Sequence, residues 1–222
     1  MHDCVNPMDL TQAMRTAAAI RRYRSDPVSD DVLYRVVDSA RFAPSWGNRQ
    51  GWHVIVVRDQ ALRTQLKALY LHTWRLVYQA QTVPSPPLAA VERNCYAEHL
   101  DELPVHLVVT VERESLQTPL PAINDATLAG GSSIYPFVQN LVLAIRAEGL
   151  GTSLTMQLNN EEAEVRRLLE IPDGFALAAH LGVGWPAHPH PTRLQRRQVE
   201  DFATIDRFGG EPLTGSFSAG VR

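Results

Sequence analysis

A three-layer α+β sandwich is the fold class this sequence predicts, on three observations. Apolar, β-branched runs alternate with longer segments of helical periodicity, the strands are too few for a doubly wound parallel sheet, and helix outweighs strand. With 222 residues, 45% hydrophobic and 20% charged, the chain is long enough for one substantial core. It is expected to form a single domain, with residues 8–208 as the core and 209–222 as a loose tail or an arm for a partner subunit.

Met8–Ala19 reads as a short helix and Ile20–Asp26 as an extended, Arg-rich connector. Ser29, followed by Asp30 and Asp31, has the capping hydroxyl and the acids of a helix start. Val32, Leu33, Val36, Val37 and Ala40 share one face of that helix, which is expected to stop at Ala43-Pro44. The polar loop from Pro44 to Gly51 leads into Trp52–Val57, which has the length and β-branching of a buried strand. A long helix from Asp59 to about Ala80 places Leu62, Leu66, Leu69, Thr73, Leu76 and Val77 on its inner stripe. Pro84-Ser85-Pro86-Pro87 then reads as a surface loop.

Pro104–Val111 is the second strand, and a Pro/Thr-rich loop, Ser115–Pro121, precedes the most hydrophobic helix, Asp125–Glu148. Pro136 either kinks that helix or marks its true first turn, and Gly149 supplies a left-handed stop. Thr152–Met156 reads as a short strand, Asn160 as the cap of a helix to Glu170, and Phe175–Gly184 as the third strand.

Composition narrows the partners. A net charge of -3 offers no basic surface for nucleic acid or an anionic membrane. No apolar stretch is long enough to span a bilayer: the most hydrophobic, Ile134–Leu150, is broken by Gln139, Asn140, Arg146 and Glu148. Cys4 and Cys95 make neither a disulfide scaffold nor a zinc pattern, and no secretory signal is apparent, so a reducing, cytoplasmic setting is expected.

Arg21, Arg22 and Arg24, with Arg15 upstream, present planar, permanently charged forks suited to a phosphate or an anionic ring edge, and equally to a solvated connector. Arg193, Arg196 and Arg197 form a second basic group after the His188-Pro189-His190 stretch. Gly130-Gly131 and Gly149-Leu150-Gly151 flank the hydrophobic helix but complete neither a dinucleotide fingerprint nor a phosphate loop. His188 and His190 lack helical spacing and carboxylates, so no metal site is expected. No GxSxG is present, and His180 inside an apolar strand reads as a core histidine.

Three blocks together carry a resemblance. They are Ile20-Arg21-Arg22-Tyr23-Arg24-x-Asp26-Pro27-Val28, Ala43-Pro44-Ser45-x-x-Asn48-x-Gln50-x-Trp52, and Gln139-Asn140-Leu141-x-Leu143-Ala144 running on to Gly149-Leu150-Gly151. In order and spacing the chain resembles the nitroreductase family. The resemblance implies a mainly antiparallel central sheet, an intertwined homodimer and FMN at each end of the interface. It places Pro44, Ser45, Trp46 and Asn48 on the loop that reaches the flavin from the neighbouring subunit, and Arg21 at the pyrimidine edge. Leu154, Thr155 and Met156 fall where backbone groups face N5 and O4, and Arg196 and Arg197 match the late phosphate-binding pair. NAD(P)H is the implied donor and an electron-poor nitroaromatic or quinone the implied acceptor, in a ping-pong cycle carried by the flavin. Trp46, Tyr70, Trp74 and Phe137 are candidates to cover the ring, and each is also a candidate core residue.

Two departures stand out. The polar triplet usual before Ile20 is here Ala17-Ala18-Ala19, which predicts weaker FMN binding, with Arg15, Thr16 and Arg22 as candidate replacements. Gly51 stands where a proline usually follows Gln50. The first departure also motivates an alternative, a flavin-binding protein with little turnover. A further alternative is a relative that oxidises a biosynthetic intermediate or fragments its own flavin.

Overall fold

Four strands form one sheet in the order β1-β2-β4-β3, every neighbouring pair antiparallel: β1 (Trp52–Val57), β2 (Val105–Glu112), β3 (Gly151–Thr155) and β4 (Phe175–Gly184). The computed structural model describes residues 8–79, 87–116 and 128–215. Six helices accompany the sheet: α1 (Leu10–Thr16), α2 (Asp30–Ala40), α3 (Gln60–Gln79), α4 (Pro87–Glu98), α5 (Ile134–Ala147) and α6 (Glu162–Leu168). None of the described helices is long and apolar enough to cross a membrane.

The alternation of side chains along β2 sorts the core into two layers. Val105, Leu107, Val109 and Val111 face α2 and α5, where Leu33, Val36, Phe137, Leu141 and Ile145 are buried. Val108, on the other face, packs with Leu66 and Tyr70 of α3, Tyr96 and Ala97 of α4 and Val165 of α6. Helices on both faces of one antiparallel sheet are the expected three layers.

Several boundaries differ from expectation for identifiable reasons. α1 ends at Thr16 rather than Ala19, because the next residues leave to bridge β3. β1 is an edge strand, not a buried one, and His53 and Val56 are exposed. On α3 the buried positions are Leu66, Tyr70, Thr73 and Trp74, while Leu76 faces solvent. Pro87 opens α4, a helix absent from the sequence reading, as proline suits a first turn; Pro84, Ser85 and Pro86 lie outside the described residues. Pro136 occupies the first turn of α5, and Gly149 takes φ +79 just past its end. Asp125, the expected start of that helix, lies outside the described residues. Asn160 caps nothing: it sits in a 3-10 turn, Gln157–Glu161, that runs into α6.

The chain divides into two units at Pro191/Thr192. The sheet and helices belong to the first. In the second, Leu213 N donates to Ala203 O at 2.9 Å and Pro212 bridges Thr204, while 216–222, half of the expected tail or arm, lie outside the described residues.

Candidate functional site

β3 has one edge covered by β4, and the chain that follows α1 lies along the other. Ala19 bridges Thr152 in parallel sense, and Ile20 N donates to Thr152 O at 2.9 Å. Gly151 permits this approach, since a Cβ there would stand 2.7 Å from that of Ile20. Strand backbone groups alternate between edges, so Leu154, two residues beyond Thr152, presents its N–H and C=O to the same outer side. The side chains of Leu154 and Met156 are exposed there, and Thr155 Oγ1 accepts from Gln157 N at 3.2 Å.

Arg21, two residues beyond Ala19, is partly buried and has no carboxylate partner among the described residues. Its charge is felt by two buried phenols, Tyr23 and Tyr96. Burial raises both of their pKa values, and Arg21 opposes that rise in each. The Tyr23 hydroxyl donates to the carbonyls of Ile20 and Gly182, tying the connector that carries Arg21 to the sheet.

The loop before β1 is held in an unusual shape. Gly47, Asn48 and Gln50 take φ of +60, +54 and +52, a left-handed region that costs a non-glycine residue energy and needs surrounding contacts to persist. Those contacts are present: Ser45 Oγ accepts from Gln50 N at 3.0 Å and Gln50 Nε2 donates to Asn48 Oδ1 at 3.0 Å. Trp46 N donates to Ser133 Oγ at 3.0 Å, and the guanidinium of Arg49 lies 5.4 Å from the Trp46 ring. Gly51 touches Ser115 so closely that a Cβ would come within 2.2 Å of its Oγ, which accounts for glycine here. Pro44 and Trp46 remain exposed, with Trp46 44% accessible.

Within one chain the bonds that anchor this loop and those at Thr16 lie at opposite ends of a helix. Ser133, which holds Trp46, immediately precedes α5, whereas Arg146 in its last turn donates to Thr16 Oγ1 beside Ala17. A 14-residue helix is about 21 Å long. The Pro44–Asn48 loop therefore stands apart from the segment 16–19 that joins β3.

Tyr70, Trp74 and Phe137 are core residues, at 3%, 8% and 0% exposure, and do not cover a cleft. Arg22 is exposed and offers its carbonyl to Ala187 N at 2.9 Å. Arg196 and Arg197 belong to the second unit, where Arg196 Nη1 donates to Gln195 O and Arg197 covers Phe202. His180 is fully buried and pairs with His106, Nε2 to Nδ1, at 2.9 Å. Arg146 is the residue sequence reasoning missed; its only signal was a charge interrupting an apolar helix.

Comparison with known proteins agrees with this architecture. The model of the nitroreductase family matches residues 14–185. The chain is 31% identical over 195 residues to an NADH dehydrogenase of Thermus thermophilus, covering 81% of this chain and 88% of the relative. It is 29% identical over 178 residues to a 5,6-dimethylbenzimidazole synthase of Rhodospirillum rubrum, covering 78% and 79% of the two. Among solved structures, oxidised iodotyrosine deiodinase bound to FMN and 3-iodo-L-tyrosine superposes with a TM-score of 0.71 at 22% identity. That match covers 90% of this chain and all of the other, and shows the fold.

Proposed function

The chain belongs to the nitroreductase family, and from that premise we propose that it is an FMN-dependent oxidoreductase working as a cytoplasmic homodimer. It takes a hydride from NAD(P)H and passes it to an electron-poor acceptor such as a nitroaromatic or quinone, in ping-pong fashion. The observation that carries this reading is the outer edge of β3 beyond Thr152, with Arg21 on the segment that bonds Thr152: a partly buried residue without a carboxylate partner among the described residues, close in the chain to strand backbone groups that no second strand pairs.

These residues fit a flavin. The hydroxyl of Thr152, a residue only 5% exposed, has no hydrogen-bond partner, so this strand carries a polar group still to be satisfied. Arg21 and the backbone of Leu154, Thr155 and Met156 would hold the ring. Ser45, Trp46 and Asn48 of a second copy would close over it, as the family resemblance implies. Bound FMN would supply the two-electron carrier that no acid, base or nucleophile of this chain provides.

What the protein contributes is electrostatics and placement. With FMN bound, Arg21 would stabilise negative charge at the pyrimidine edge, as a fixed cation that needs no reorganisation. The exposed indole of Trp46, with Arg49 over its ring and Ser133 bonded to its backbone N, would give a flavin site an apolar wall. Purified protein should be yellow and be bleached by NAD(P)H without oxygen; failure to take up FMN supplied in excess would overturn the reading.

The likeness to a 5,6-dimethylbenzimidazole synthase favours a second reading, in which the scaffold serves a biosynthetic oxidation or fragments its own flavin. Product analysis under oxygen without added nicotinamide separates the two.

A further inference from the structure

Arg146 is a cation that the sequence blocks leave unexplained and that the fold places beside Ala17 and Ala18. Its Nε donates to Thr16 Oγ1 at 3.0 Å, and no carboxylate pairs with it among the described residues. It lines a narrow crevice with Ala17, Ala18, Thr152 and His190. Two polar atoms of that lining have no hydrogen-bond partner: Oγ1 of Thr152 and Nδ1 of His190. The other ring nitrogen of His190 faces Gly149 O at 3.4 Å. Loss of water lowers the pKa of both Arg146 and His190, and Arg146 lowers that of His190 further. Neutral His190, its Nε2–H turned to the Gly149 carbonyl, offers only a lone pair at Nδ1, whereas a guanidinium without a carboxylate partner and a buried hydroxyl in one lining share a single demand, an anion with several acceptor oxygens.

We propose that Arg146, with Thr152, forms a phosphate-monoester site that takes over the ionic contacts Ala17-Ala18-Ala19 cannot make. The terminal phosphate of FMN is then gripped from α5 rather than from the segment after α1. This rests on the FMN reading above. The crevice has no room for a water molecule as it stands, so filling it moves the Ala17–Ala18 segment or the His190 ring outward. The alternative role for Arg146 is structural, steadying the end of α1 through Thr16, and that role makes no distinction between phosphorylated and unphosphorylated flavin.

The test is a pair of titrations, FMN and riboflavin, on the full chain and on Arg146→Met, Arg146→Lys and Thr152→Val, with circular dichroism to confirm folding. Losing a charge-assisted contact should weaken FMN by roughly 10- to 100-fold in Arg146→Met while riboflavin is unchanged. Arg146→Lys should recover much of the difference, and Thr152→Val should cost roughly 2- to 10-fold. Inorganic phosphate should compete with FMN but not with riboflavin. Equal losses for both flavins, or no loss for either, would overturn the proposal. Should the unaltered chain bind neither flavin, the FMN reading fails on its own. The anion site is then judged by thermal stabilisation with inorganic phosphate: present in the parent and lost in Arg146→Met, it stands; absent from both, it falls.

Discussion

His106 and His180 lie in the sheet on neighbouring strands, their rings edge to edge and nearly coplanar, with Nδ1 of one 2.9 Å from Nε2 of the other and no solvent exposure at either. Burial holds both as neutral imidazoles: it pulls His106 down to about 4, helped by the charge of Arg63, and takes His180 well below its usual value. The unfolded chain protonates both near pH 6.5, while the folded chain does so only at much lower pH. The unfolded state therefore binds more protons in that window, and stability falls as pH drops below 6.5. The loss is about 1.4 kcal/mol per histidine per pH unit, or roughly 2 kcal/mol each by pH 5. Urea unfolding at pH 7, 6 and 5 should show this slope, and His106→Leu with His180→Leu should flatten it. An equal slope in parent and double variant would assign the effect to other groups.

Gly151 carries the next expectation, since it lets the chain after α1 lie on β3. Gly151→Ala sets a Cβ 2.7 Å from that of Ile20, and an overpacked contact of this kind costs about 1–3 kcal/mol. The substitution should lower the urea midpoint and weaken FMN together, by displacing Arg21 from the strand edge. Ile20→Ala in the same chain should recover part of both. Normal FMN affinity in Gly151→Ala would detach the edge of β3 from the flavin site.

Arg21 should set the flavin potential. Removing a fixed cation from the reduced ring's anionic edge costs about 1.5–3 kcal/mol, equal to roughly 30–60 mV for a two-electron couple. The midpoint of Arg21→Met should fall by that amount, and Arg21→Lys should restore part of it. An unmoved midpoint with FMN still bound would remove Arg21 from the pyrimidine edge.

Much of the architecture was legible in the sequence because its signals are local. Trp52–Val57 and Phe175–Gly184 are strands over the very residues their apolar runs mark, and Ser29 caps α2 through Val32 N at 3.4 Å. What failed depended on tertiary surroundings. α4 begins at a proline that equally signals a loop, and its buried Tyr96 and Ala97 make no repeating stripe. Tyr70 and Trp74 were candidates for a cleft, yet α3 turns them into the core in place of Leu76. Arg146 acquires meaning only through Thr16, a residue 130 positions away, so no reading of spacing would have found it.

A mixed dimer should show whether the loop and the strand edge belong to different copies. Pair an Arg21→Met chain with one carrying Ser45→Ala and Asn48→Ala. Each altered homodimer should hold FMN weakly at both sites. If the loop reaches across, the hybrid concentrates every lesion in one site and leaves the other native, so half of its sites should bind tightly. A hybrid with no tight site would mean that each chain completes its own.

The span of α5 between Ser133 and Arg146 carries a consequence for handling the protein. If the loop and the strand edge must be supplied by two molecules, occupancy follows mass action between polypeptides as well as between polypeptide and FMN. Colour should then fade on dilution faster than a simple one-to-one equilibrium allows, and added cofactor should draw separated molecules back together.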